Sequence, residues 1–557
     1  MHHNKYPSSR YSTPRRLRRC ACLAVAAVAV GGSSGCMTSF KEYVHNGFKV
    51  GPNYCKPAVP VSDEWVEARD TRLSSEPVDL RDWWGVFNDP CLDELIRISY
   101  AENLTVRDAG YRVLEARALR QVAVGGLFPQ QQQATGSYTR TQISDESGFG
   151  GAGFGGGQID IWQLGGQLAW ELDFWGRFRR AIESANAELD ASVEAYDDVL
   201  VILVSDVAST YVEIRTLQQR IAYAEQNVES QSGSLRIATD LFEGGAAGKL
   251  DVTQAQTNLS QTEALIPQLR LQLRQATNRL CVLMGRPPED LSPLLAMSPA
   301  KIPTSPKQVV AGIPAELVRR RPDVRQAERL VAQQSARIGI AEADLYPAFS
   351  ITGNLGWQAP TFNRMFQTSA FTGSISPGFT WNILNYGRLR ANVAAQDALF
   401  QQRVAQYQQT VLEAHREAED AIAAFLRYQE QAEALTKSAD AALESSDLVQ
   451  QLYKGGQTDF GRVFVAELAL VNQQDAKAVA EGQIAQGLVD IYRSLGGGWQ
   501  VRLGGPTRLP VVIPAEDAES VPTPLPAEET PAEEAPSEVT PEEAKEPTIN
   551  LPVFAAK

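Results

Sequence analysis

Two stretches, Trp170-Glu-Leu-Asp-Phe-Trp-Gly-Arg177 and Trp381-Asn-Ile-Leu-Asn-Tyr-Gly-Arg388, carry the same order of aromatic, turn and basic residues 211 positions apart. The same offset, without a gap, superposes Gly244-Gly245 on Gly455-Gly456, Gly285 on Gly496, Tyr196 on Tyr407 and Val193 on Val404. Self-similarity at a fixed offset marks one structural unit present twice. The chain between and around these anchors is therefore read once and applied to both copies.

Upstream of each anchor the sequence alternates. Phe349, Ile351, Gly353, Leu355 and Trp357 interleave with Ser350, Thr352, Asn354, Gly356 and Gln358. Phe371, Ile375, Phe379 and Trp381 do the same with Thr372, Ser374, Ser376, Gly378 and Thr380. In the first copy Trp162, Leu164, Leu168, Trp170 and Leu172 share a face against Gln163, Gly165, Gln167 and Ala169, and a more polar strand is expected near Gln131 to Gln142. A period of two means strands with one apolar and one polar face, which suits an outer-membrane barrel with lipid outside and water inside. A soluble sandwich with one buried face is the alternative. The aromatics near strand ends, Trp162, Trp170, Trp357 and Trp381, favour the membrane, where they would form a girdle.

Downstream, each copy turns helical for a long way. Leu189, Val193, Tyr196, Leu200, Leu203, Val207, Tyr211, Ile214, Leu217 and Ile221 step by threes and fours, as do Phe400, Val404, Tyr407, Val411, Ala414, Ala418, Ile422, Phe425 and Tyr428. A mean step of about 3.5 predicts coiled-coil packing. Neither Phe178–Leu241 nor Leu389–Tyr453 contains Pro, so each predicts a helix on the order of 95 Å. Gly244-Gly245 and Gly455-Gly456 should break these helices, and a second helix should return to Leu283 and to Leu495. Two further helices, near Cys91–Leu127 and Pro314–Leu345, lead into the strand pairs. An ordinary filament-type coil is the alternative for such heptads; the strands argue against it.

The ends of the 557-residue chain set its context. Arg15, Arg16, Arg18 and Arg19 precede the apolar run Ala21–Val30 and the small residues Gly31–Gly35, the pattern of a secretory signal too short to span a bilayer. It ends in Ser33-Ser34-Gly35-Cys36, similar to a lipobox with Cys36 as the acylated residue, although Ser33 stands where Leu is usual; plain cleavage is the alternative. No stretch of 18 apolar residues appears, which excludes a bundle of membrane helices. The net charge is −14, and Gly505–Lys557, rich in Pro, Glu, Ala and Thr, contributes −8 of it and reads as a disordered tail. An acidic chain has no basic face for phosphates, so nucleic acid is not an expected partner. Of the six Cys, Cys20 and Cys22 leave with the signal, Cys55 and Cys91 have the option of pairing in an oxidising compartment, and Cys281 lies on a core position.

Enzyme motifs fail on context. Beyond the signal only His45 and His415 remain, too few for a histidine-built centre, so no metal, cofactor or catalytic residue is expected. Gly148-Phe-Gly-Gly-Ala-Gly153 opens no helix, Gly31-Gly-Ser-Ser-Gly35 lies inside the signal, and Gly244–Leu250 lacks phosphate-loop spacing and its Ser or Thr.

Several separate stretches then carry a family resemblance. Val50-Gly-Pro-Asn-Tyr-Cys-Lys-Pro57, Trp83-Trp-Gly-Val-Phe-Asn-Asp89, Leu250-Asp-Val-Thr-Gln-Ala-Gln256 and Arg319-Arg-Arg-Pro-Asp-Val324 occur in the order seen in the outer-membrane factor family of efflux channels, the TolC and OprM type, and closely resemble its NodT-like lipoprotein branch. The resemblance spans Gly51 to Trp499. It implies a mixed α and β membrane protein: a homotrimer in which each protomer gives four strands to one twelve-stranded outer-membrane β-barrel and its helices to a periplasmic α-barrel. Four strands cannot close alone, and open edges are not viable in lipid.

The expected organisation is a signal peptide over 1–35, an extended lipoprotein segment over 36–90, a first repeat over 91–290, a linker over 291–313, a second repeat over 314–499 and the acidic tail over 500–557. The expected function is a passive duct, working with a periplasmic adaptor and an inner-membrane pump of the proton-driven resistance-nodulation-division type, anchored among outer-membrane lipids. A type I protein secretion channel and a non-conducting trimeric coiled-coil scaffold of the envelope are the alternatives. In this family the closed tip lies where the helix pairs turn. Here the turns offer Glu243, Lys249 and Asp251, then Lys454, Asp459 and Arg462. Asp251 and Arg462 are equivalent under the offset and opposite in charge, which makes them either a latch between hairpins or two solvated charges.

Overall fold

A computed structural model describes residues 38–504 apart from 63, 75, 77–78, 143–157 and 313–318. The expected signal peptide, Cys36, the Gly-rich loop between the first two strands, the start of the helix expected from Pro314 and the acidic tail lie outside the described residues.

Four strands, β1 (Gln131–Gln142), β2 (Gln158–Leu172), β3 (Ala348–Ala359) and β4 (Phe371–Thr380), pair in chain order as one antiparallel sheet, and the short segments Leu73–Ser74 and Val309–Val310 pair separately in parallel. Register sorts the faces. Trp162 stands opposite Tyr138 and Ala359, Leu164 opposite Trp357, Trp170 opposite Ile351, and Phe349 opposite Phe379, all on one side. Gln163, Gln167, Asn354, Thr352, Ser374 and Ser376 line the other. The apolar face is open: Ile375 is 81% exposed, and Leu355 and Phe379 are exposed beside it. No described helix is long and apolar enough to cross a membrane.

The helices are α1 (Phe40–His45), α2 (Pro90–Glu102), α3 (Leu104–Gly125), α4 (Arg177–Glu243), α5 (Lys249–Leu283), α6 (Pro322–Ala343), α7 (Arg388–Lys454) and α8 (Phe460–Ser494). The long helices α4 and α7 have 67 residues each and the returning helices α5 and α8 have 35 each. At 1.5 Å per residue α4 and α7 run about 100 Å. The threes-and-fours stripe is buried where it is most apolar, at Leu200, Leu203, Val207, Tyr211, Ile214 and Leu217 of α4 and at Val411, Ala414, Ala418, Ile422 and Phe425 of α7. Val411 and Ala414 pack in a smaller core with Val324 and Val331 of α6 and with Tyr407. One large core joins the α4 residues and Ala418, Ile422 and Phe425 of α7 to Leu92 and Leu95 of α2, Leu280 of α5 and Leu488 of α8. Arg215, 1% exposed, holds the linker to that core by donating to Tyr211 Oη at 2.9 Å and to the carbonyls of Leu295 at 2.8 Å and Ser298 at 3.2 Å.

One expected helix is two. The pattern from Cys91 to Leu127 predicts a continuous rod, whereas the chain breaks at Asn103. The Asn103 side chain accepts from Thr105 N at 2.8 Å and Val106 N at 3.0 Å, capping α3, and donates to Leu283 O at 2.8 Å. An N-cap of this kind, worth about 1 kcal/mol, competes with helix continuation, and the bond to Leu283 fixes the break against the end of α5. In the second copy the counterpart of α3 is α6, which begins at the equivalent place, with Arg321 at its N-cap and Pro322 as its first residue. Cys55, Cys91 and Cys281 are free thiols, Cys55 exposed and the other two buried, so the optional Cys55–Cys91 bridge is not formed.

Candidate functional site

Both long helices end by the same backbone chemistry. Gly245 and Gly456 take left-handed φ of 75° and 68°. Their N–H groups donate to Phe242 O and Tyr453 O, and the next residues, Ala246 and Gln457, donate five residues back to Leu241 O and Leu452 O. That closes a Schellman-type end, which needs a residue without Cβ at the left-handed position. Gly244 and Gly455 bond to Asp240 O and Gln451 O in the preceding turn. The two hairpin turns of one chain pack together through a small core of Ala238, Ala255, Tyr453, Phe460 and Val463.

The charges at these turns do not arrange as the offset suggests. Asp251 accepts from Tyr453 Oη at 3.2 Å, and the Tyr453 ring meets Phe460 edge-on with centroids 5.3 Å apart. Burial first, then the neighbouring Asp251 carboxylate, pushes the Tyr453 phenol up to about 12, so it stays a donor at neutral pH. Arg462 is exposed, and it makes no ion pair with Asp251 or any other described residue. Lys249, Lys454 and Asp459 are likewise exposed at the turns. Sequence reasoning named Asp251 and missed its partner. In the first copy Phe242 stands where Tyr453 stands in the second, so the hydroxyl is present once per chain.

A second polar node lies farther up the same hairpins. Glu467 of α8 is 3% exposed and accepts from Ser234 Oγ of α4 at 2.5 Å, Asn258 Nδ2 of α5 at 2.8 Å and Gln450 Nε2 of α7 at 2.9 Å. One carboxylate thus ties all four long helices. The sequence holds a signal for it: Phe460, Val463, Glu467 and Leu470 form one buried helical stripe, with an acid at a core position.

At the other end of the molecule the tryptophans fall into two levels. Trp162 and Trp357 lie toward the strand-joining loops. Trp162 contacts Tyr138 at 4.6 Å and Phe362 at 5.2 Å, while Trp357 lies 6.0 Å from Phe371. Trp170 and Trp381 lie at the helix end, where their Nε1 groups donate to Leu127 O at 3.2 Å and Leu345 O at 3.0 Å. Trp162 and Trp170 are eight residues apart on one strand, about 27 Å along it. These two tryptophan bonds also equate Leu127-Phe-Pro129 with Leu345-Tyr-Pro347.

The N-terminal segment is pinned at that same helix end. Thr38 donates from its backbone N at 2.7 Å and its Oγ1 at 2.5 Å to Glu342 Oε1, near the C-terminus of α6. Buried Arg180 of α4 donates to Val50 O at 3.0 Å, Gly51 O at 2.8 Å and Asn53 Oδ1 at 3.1 Å.

Comparison with known proteins accords with this geometry. The family described as Outer membrane efflux protein matches residues 95–286 and again 313–497. Nodulation protein T of Rhizobium leguminosarum bv. viciae is 31% identical over 452 residues, covering 81% of this chain and 90% of the relative. The solvent efflux pump outer membrane protein SrpC of Pseudomonas putida is 31% identical, covering 82% and 96%. A solved structure of the outer-membrane channel OprN superposes with a TM-score of 0.76 at 32% identity, covering 81% of this chain and 99% of that one.

Proposed function

The chain belongs to the outer membrane efflux protein family, and from that premise we propose that three copies close one channel through the outer membrane. The channel passes small molecules outward from a periplasmic adaptor and a proton-driven inner-membrane pump. The observation that carries this is the sheet: an apolar face open along four strands, with the outer edges of β1 and β4 unpaired among the described residues. In lipid each unpaired backbone group costs several kcal/mol, so β4 must meet β1 of another copy.

The repeat says how that meeting is made. Within one chain, α6 lies between α4 of the first copy and α7 of its own. Its counterpart α3 packs on α4 and leaves Tyr111, Leu119 and Val122 exposed. Trp175 stacks on Tyr346 with centroids 4.5 Å apart and donates to Pro347 O at 2.8 Å. Its counterpart Tyr386 is fully exposed, and Phe128, the counterpart of Tyr346, is exposed too. Applying the in-chain contact between chains seats Tyr386 on Phe128 of the next copy and α7 against its α3. We expect Tyr386→Cys with Phe128→Cys, in a Cys55→Ser background, to give dimer and trimer bands with a short bifunctional maleimide. Neither single variant should do so. A protein that stays monomeric in detergent yet conducts in a planar bilayer would sink the proposal.

Cys36 completes the anchoring. What supports this reading is the junction sequence Gly35-Cys36 together with the pinning of Thr38 to Glu342 at the helix end of the strands; a lipoprotein's several acyl chains give stable attachment where one alone does not. Intact-mass measurement of the mature N-terminal peptide should show an acylated Cys36; an unmodified peptide starting elsewhere refutes it.

A further inference from the structure

The Thr38–Lys49 turn carries exposed apolar side chains that neither the duct nor the acyl anchor accounts for. Phe40 is 81% exposed on α1, Val44 lies one turn on along the same helix, and Phe48 is 54% exposed just beyond it. The turn is rigidly mounted. Ser39 caps α1, Tyr43 is buried with its Oη donating to Phe174 O at 2.8 Å, and Arg179 donates to Gly47 O at 2.8 Å and Phe48 O at 2.7 Å. Phe48 sits at φ 60°, a left-handed conformation that a bulky aromatic residue adopts only when its surroundings impose it. An aromatic ring held in water at a conformational cost is explained if water is not what surrounds it.

The rings around this turn form a continuous chain that ends on the lipid-facing side of the sheet. Phe40 lies 6.4 Å from Tyr43, Tyr43 lies 5.5 Å from Trp175, Trp175 lies 5.0 Å from Phe174, Phe174 lies 5.3 Å from Phe349, and Phe349 lies 6.1 Å from Phe379. Phe349 and Phe379 face each other on the apolar side, at the helix end of the strands. The apolar face of the sheet is therefore joined to α1 by packed rings, through half-buried Trp175 and buried Tyr43. Lys41, exposed next to Phe40, supplies a cation at the level of lipid phosphates.

We infer that Phe40, Val44 and Phe48 are seated in the periplasmic leaflet of the outer membrane as a docking element of the protein itself, independent of acylation at Cys36. The inference rests on the apolar sheet face being the lipid face. The test uses the full chain with an ordinary signal peptide and with Cys36→Ser and Cys55→Ser. Bimane is placed at Phe40→Cys, Ile375→Cys or Val66→Cys, and the protein is reconstituted in vesicles of brominated phosphatidylcholine. Labels at 40 and 375 should be quenched by the brominated lipid and shielded from aqueous iodide, and the label at 66 should behave oppositely. Quenching at 375 with iodide access at 40 overturns this inference alone. Shielding at 40 from both quenchers means a second copy covers the turn and also overturns it. Absence of lipid quenching at 375 overturns the lipid-face reading and this inference with it.

Discussion

Gly356→Val should leave the outer membrane without assembled channel, with the folded, heat-modifiable oligomer reduced at least tenfold on a denaturing gel. Gly356 of β3 stands opposite Gly165 of β2 on the polar face of the sheet. A Cβ at Gly356 would run into Leu164 O and lie 2.6 Å from Gly165 Cα, and a Cβ at Gly165 would lie 2.5 Å from Leu355 O. These are backbone atoms, so no rotamer change relieves the clash. The substitution must push β2 away from β3, and that pairing is the seam joining the two halves of the chain's sheet. Each ladder bond opened in lipid exposes groups costing several kcal/mol, and about 1.4 kcal/mol is already tenfold in an equilibrium. Gly378→Ala on β4 is the matched control: nothing lies within 4 Å of its Cβ position, so assembly should be unchanged. Wild-type oligomer from Gly356→Val would show that the strands do not need this approach.

What the sequence made legible was whatever local chemistry repeats. The strand alternation, the threes-and-fours stripe and the Gly-Gly stops are each written within a few residues and appear twice, so α4 and α7 begin and end within two residues of their expected limits. The helix ends were readable because a left-handed residue after a helix is a backbone demand, met by Gly245 and Gly456. The break at Asn103 was not readable, because the bond that fixes it comes from Leu283, 180 residues on. The tip was readable only in part. Superposing the copies equates Asp251 with Arg462, but equivalent residues occupy equivalent places on different hairpins, and equivalence does not make them neighbours. The neighbour of Asp251 is Tyr453, which sits at the end of a helix stripe and reads as core until its hydroxyl is seen reaching out. Glu467 is illegible for a related reason: an acid in a core stripe is informative only once three donors from other helices converge on it.

We propose that the helix turns close the resting duct, and that neighbour relation then sets how the closure behaves. Tyr453 Oη bonded to Asp251 joins the two hairpin turns of one protomer, and three such links would ring the tip of the proposed trimer. A hydrogen bond to a charged acceptor contributes about 1.5–3 kcal/mol, weak enough for an adaptor to reverse and strong enough, repeated threefold, to hold a resting closure. Tyr453→Phe keeps the ring and its contact with Phe460 and removes only the link, while Asp251→Ala removes the acceptor. Each should raise resting conductance in planar bilayers about tenfold and sensitise cells to antibiotics too large for the closed duct. Because both remove one interaction, the double variant should match either single one, a coupling that a double-mutant cycle reads directly. Arg462→Ala should act independently, its effect adding to that of either variant, since Arg462 has no bond to Asp251 or Tyr453. Additivity between Tyr453→Phe and Asp251→Ala, or wild-type conductance from both, would mean that the bond does not bear on closure. The resting state would then rest on the buried node at Glu467, where Glu467→Gln, which keeps the shape but removes the charge that three neutral donors surround, becomes the variant that opens the channel.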